Sequence, residues 1–149
     1  MIRFFLLGSV LLLVFASCFS QTADLTILFE NIRSDSGTLK IGIFDDARAF
    51  KNKKDPVVGV KCSPKKPVTR FVARDLKPGK YAVAVFHDEN SDDTLNFRAM
   101  GVPIEGIGFS GNVKKRIRPP GFALASFRLE KDTTIAIKMI YGKKKKPEK

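Results

Sequence analysis

From Asp24 the chain alternates. Leu25, Ile27 and Phe29 alternate with Thr26, Leu28 and Glu30, a period close to two. A period of two is the pattern of a half-buried strand. Leu39, Ile41 and Ile43 repeat it after Ser34-Asp35-Ser36-Gly37, a turn cluster in which Asp and Gly supply local hydrogen bonds and unusual φ values. The pair is expected to form a hairpin. Asp46 to Lys54 is polar and predicts one helical turn, ended by Pro56. Val68 to Ala73 is strand-like. Leu76-Lys77-Pro78-Gly79-Lys80 predicts a type II turn, with Pro fixing one φ and Gly taking a positive one.

Tyr81 to Phe86, "YAVAVF", is apolar at every position, which predicts a central strand covered on both faces. A long irregular stretch rich in Gly and Pro follows, from Asp88 to Gly121. Phe122 to Leu129 and Thr133 to Tyr141 are read as two closing strands, with Lys131-Asp132 as the turn between them. Short strands, frequent turns and no long helix define the expected fold class. It is all-β: an antiparallel, immunoglobulin-like or transthyretin-like β-sandwich of about seven strands with one long Gly/Pro-rich loop.

The ends change the picture. Arg3 precedes an apolar run from Phe4 to Ala16, and small residues follow at Ser17 and Ser20. This is the layout of a secretory signal peptide, and the run is shorter than a membrane-spanning helix needs. Residues 1–20 are expected to be removed, leaving Gln21 first. Phe15-Ala16-Ser17-Cys18 also resembles a lipobox, so lipid on Cys18 is the alternative. Residues 24–141 then form the sandwich and 142–149 a basic disordered tail. No transmembrane span is expected after signal removal. Cys62 would remain alone, unable to make an internal disulfide. The lysines around it would favour thiolate, although a loop cysteine without a role is the plainer reading.

The formal charge is +12, from 27 Lys and Arg against 15 Asp and Glu. An exported basic protein has anionic envelope components as available partners. The sharpest cluster is Lys114, Lys115, Arg116 and Arg118, which could join Lys51, Lys53, Lys54, Lys65 and Lys66 in an anion patch. The aromatic interleaving of a single-strand nucleic-acid platform is missing, so no specific nucleic-acid partner is expected.

Candidate chemistry concentrates after the central strand. Asp88, Asn90 and Asp92 have the spacing of the first three ligands of a calcium loop. Asp93 stands in the glycine position, however, and Ala99 where a bidentate acid belongs. Calcium is the one cofactor this pattern leaves open. An Asx-rich turn is the competing reading. His87, the only histidine, could be a metal ligand or general base with Asp88, and Glu105 would meet it if the loop folds back. A hydrogen-bonded anchor for the loop is the plainer assignment. Glycines 101, 106, 108 and 111 would let the loop lie tightly on the sandwich, with Ile107 and Phe109 pinning it.

Several of these pieces occur together. Leu76-Lys-Pro-Gly-Lys-Tyr81, His87-Asp-Glu-Asn90, Gly101-Val-Pro103-Ile-Glu105-Gly-Ile-Gly108-Phe109 and Pro119-Pro120-Gly-Phe122 stand in one order. In that order and spacing they resemble an uncharacterised exported bacterial family, domain-of-unknown-function family 2141. The resemblance covers about Leu25 to Ile140. It implies a periplasmic or outer-surface address and a sandwich fold, but no activity. Members of that family tend to carry Asn-Gly at the place of Asp92-Asp93, closer to a calcium loop than this chain is.

The expected function is a non-catalytic envelope module that binds or supports a partner through residues 87–120. His87, Glu105, Phe109, Lys114, Lys115, Arg116 and Arg118 are the candidate ligand residues. The alternative is a calcium- or zinc-dependent binding module or enzyme centred on His87, Asp88 and Glu105. No Ser-His-Asp order or full metal set supports catalysis.

Overall fold

The computed structural model describes residues 21–98, 101–111 and 119–142. The signal segment, the lipobox cysteine, residues 112–118 and the tail from 143 lie outside the described residues. Among the described residues eight strands form two sheets. One has the order β4-β1-β8: β1 is Ala23–Glu30, β4 is Val68–Leu76 and β8 is Thr133–Lys138. The other runs β3-β2-β5-β6, from Val58–Cys62, Thr38–Phe44, Gly79–Asp88 and Gly106–Phe109. The short β7, Phe127–Leu129, pairs with the start of β5.

The main core lies between the sheets. Leu25, Ile27 and Phe29 of β1 face Leu39, Ile41 and Ile43 of β2 and Tyr81, Val83 and Val85 of β5 within one buried cluster. Strand alternation puts these residues on one face of each strand. The expected sandwich is present, with three departures. First, β1 and β2 are not a hairpin: β1 pairs with β4 and β8, and β2 with β3 and β5. Each carries one apolar face, and crossing between sheets buries the two faces against each other. Second, the pairing is not wholly antiparallel. β1 and β8 run parallel, from Leu25 opposite Thr133 to Glu30 opposite Lys138. Third, Phe122–Ala125 is a helical turn, α2, and only Phe127–Leu129 of that stretch is strand.

The tight turn before β5 also differs. Gly79 is strand and has no positive φ; the left-handed residue nearby is Asp75, φ 55°. Its N–H donates to Asp24 Oδ1 at 3.1 Å. Pro78 and Gly79 instead make a corner between the sheets. Tyr81 Oη donates to the Lys77 carbonyl at 2.8 Å, closing a tyrosine corner. Gly79 fits because the Tyr81 ring lies 3.3 Å from where a Cβ would stand.

"YAVAVF" is covered on both faces. Its odd residues enter the main core, while Ala82 and Ala84 pack in a second cluster with Phe44, Phe50 and Ala125. This outer layer comes from α1, Ala47–Asn52, and α2. Asp46 caps α1, accepting from Arg48 N and Ala49 N at 2.8 Å. Those donors hold its carboxyl below the usual range. Phe50 meets Phe44, Phe109 and Phe122 edge-on at 5.6–6.3 Å between centroids.

Candidate functional site

The loop after β5 is built around buried polar side chains. His87 is fully buried. Its Nε2 faces the Ser36 carbonyl at 2.8 Å, so it carries the proton and donates. Nδ1 accepts from Tyr141 Oη at 2.8 Å. Tyr141 in turn accepts from Arg33 N at 3.3 Å, and the Arg33 guanidinium stacks over its ring at 4.4 Å. Arg33 also pairs with Glu89. Burial pushes the Tyr141 hydroxyl above its ordinary range. With both ring nitrogens bonded, His87 ties β5 to the 34–37 turn and to the end of the chain's last strand segment.

Glu105 does not meet His87. It is buried, and its two oxygens accept from Glu89 N and Asn96 N, each at 3.0 Å. One carboxylate therefore clamps both ends of the Asx loop. The loop's interior follows the turn reading. Asp88, also buried, accepts from Asp92 N at 3.2 Å and Asp93 N at 2.9 Å. Asn90 Nδ2 donates to Asp92 Oδ2 at 2.8 Å.

Asp93, in the calcium loop's glycine position, does adopt the left-handed φ of 64°. The charge beside it is internal. Lys40 Nζ lies 3.1 Å from Asp88 Oδ2 and also pairs with Asp93, while Lys61 reaches Asp93 Oδ1 at 2.8 Å. These two lysines, Lys40 first, pull the Asp93 carboxyl down to about 2. Lys40 thus lies against Asp88 and Asp93, the loop's first and sixth positions. Among the described residues no group of three or more His, Cys, Asp or Glu side chains could hold a metal.

The glycine-rich segment forms a strand the sequence reading placed in a loop. Two glycines of β6 are required by close approach. A Cβ at Gly106 would stand 2.3 Å from the Tyr141 ring, and one at Gly108 would stand 2.8–2.9 Å from Ile137, Met139 and Val85. Ser110 continues the edge: Val83 N donates to its Oγ at 2.7 Å, and the Oγ donates to the Ala125 carbonyl at 2.6 Å.

This places a groove on the outer face of the larger sheet. Two rows cross four strands in register: Lys61, Lys40, Phe86 and Ile107, then Gly59, Gly42, Ala84 and Phe109. The second row begins with three of the smallest residues, so the sheet is hollow there. Phe44, Pro56, Leu95 and Phe109 rise around it, leaving a cavity of about 490 Å³ with largely apolar walls. Lys40 and Lys61 stand at one end and Lys53 at the other. Among the described residues Phe109 is the one candidate ligand residue in the lining. His87 and Glu105 hold the loop from beneath, and Lys114, Lys115, Arg116 and Arg118 lie outside the described residues. Cys62 ends β3, packed against the main core, where burial pushes its thiol up.

The floor residues went unremarked in the sequence, although the small side chains at 42, 59 and 84 are visible there. Their coincidence depends on strand register, which no local pattern gives.

The fold and the groove together define an all-β sandwich domain with an open apolar trough on one sheet and a loop clamped by buried carboxylates. A family model described as "Uncharacterized protein conserved in bacteria (DUF2141)" matches residues 27–136, and the chain belongs to that family. No curated protein and no solved structure matches it. Among the described residues no helix is long and apolar enough to cross a membrane.

Proposed function

We propose that this protein is an exported, non-catalytic binding module of the bacterial envelope, and that its binding surface is the groove over β3, β2, β5 and β6. The observation that carries the reading is the cavity itself. Its volume of about 490 Å³ lies within the roughly 300–1,000 Å³ of ordinary ligand sites. Mostly apolar walls with a few placed polar groups are the usual composition of such sites. Residues 87–111 serve as scaffold and wall, giving the long loop its use. His87 and Glu105 spend their polar atoms on the fold, which leaves neither free for acid–base work.

Dye binding tests the groove. A neutral apolar dye such as Nile red is expected to brighten with the folded wild type. Gly59→Leu, which fills the floor from the exposed strand β3, is expected to abolish that emission without moving the urea midpoint. Ala84→Leu should also abolish the emission, but with a lower urea midpoint, because Ala84 packs in the cluster with Phe44, Phe50 and Ala125. Dark wild type, or emission indifferent to both variants, would overturn the reading. Export rests on the Arg3, apolar and small-residue order of residues 1–20 and on the bacterial family. The mass of the mature N-terminus decides it: Gln21 or lipidated Cys18 is expected, and an intact Met1 would refute export.

A further inference from the structure

The two ends of the groove are not equivalent. Lys40 and Lys61 are already neutralised by Asp88 and Asp93. Lys53 is different. It forms none of the ion pairs among the described residues. Its ammonium donates to the Phe50 carbonyl and lies 4.0 Å from the Phe50 ring centroid and 5.6 Å from that of Phe109. An ammonium has three donors, so two remain for a partner. The residue as a whole is exposed, yet enough protein surrounds the ammonium that desolvation lowers its pKa. An anion there would restore what that desolvation removes.

The backbone adds a second observation. Lys53 is the C-cap of α1 and holds a left-handed φ of 55°. Glycine or asparagine fills such a position at lower cost than lysine. Strain of this kind collects where a side chain must be aimed. Lys53 lines the groove, with its ammonium beside the Phe50 and Phe109 rings.

We infer that the groove takes a single-chain aliphatic carboxylate, its chain over Gly59, Gly42 and Ala84 and its head on the Lys53 ammonium. The inference rests on the groove reading above. It names a monoanion because, among the described residues, one ammonium outside any ion pair lines the site, while Lys40 and Lys61 already have carboxylates.

Displacement of Nile red by decanoate and by decanol tests it. Decanol is the more readily desolvated of the two, so apolar burial alone favours decanol. Wild type is expected to bind decanoate more tightly. Lys53→Asn keeps a residue that accepts the left-handed conformation. It is expected to weaken decanoate about tenfold, the worth of one charge-assisted contact, and to leave decanol unchanged. Equal loss of both ligands, or decanoate no tighter than decanol in wild type, would overturn the carboxylate assignment while the groove reading stands. Failure of the dye to bind wild type at all would remove both.

Discussion

Glu105→Ala is expected to destabilise the protein by about 3 kcal/mol, because hydrogen bonds to a charged acceptor contribute roughly 1.5–3 kcal/mol each and this carboxylate accepts two. Glu89 N and Asn96 N lose their side-chain acceptor together. The loss is larger than for a surface acid because Glu105 is 4% exposed. Glu105→Gln sharpens the test. Its amide oxygen can serve one N–H, but its NH₂ would oppose the other, so an intermediate loss is expected. Urea unfolding measures both. A Glu105→Ala protein within about 0.5 kcal/mol of wild type, the ordinary surface range, would show that the clamp does not form.

Gly106→Ala should cost about as much, by a different route. The added methyl would overlap the Tyr141 ring, which must leave its seat. Overpacking of this kind costs roughly 1–3 kcal/mol. Leaving His87 Nδ1 buried without its donor adds roughly 1–3 kcal/mol more. Tyr141→Phe separates the two parts, since it keeps the ring and removes only the hydroxyl. It is expected to cost less than Gly106→Ala under the same denaturant titration. Equal stability of Gly106→Ala and wild type would mean that the ring does not pack on β6.

Much of the sandwich is written in local pattern. Leu25, Ile27 and Phe29, and Leu39, Ile41 and Ile43, alternate because each strand has one face in the core. Tyr81 to Phe86 lacks polar positions because its second face packs Ala82 and Ala84 with residues of α1 and α2 and gives Phe86 to the apolar groove. Sheet membership is not local, which is why two neighbouring strands looked like a hairpin and belong to opposite sheets. β3 and β6 were obscured by Gly59, Gly106 and Gly108, residues that weaken a strand signal and serve here as floor or close contact.

The site was legible only in part. The Asx spacing of Asp88, Asn90 and Asp92 is a real feature and makes the expected turn. That Lys40 lies against its carboxylates could not be read from the chain, because Lys40 is brought there by the pairing of β2 with β5. Lys53 was visible as one of several loop cations. Its distinction is that it joins no ion pair among the described residues and leans on Phe50 and Phe109, which only the folded chain reveals.

The central claim is that ligands enter the trough over the sheet while the loop behind it stays fixed. A backbone amide shift map of nitrogen-labelled protein titrated with decanoate reads this directly. Saturable shifts are expected at Gly42, Gly59, Ala84 and Phe109, with the Glu89 and Asn96 amides unmoved in their bonds to Glu105. Shifts confined to Asp88–Asn96, or none that saturate on the sheet, would contradict it.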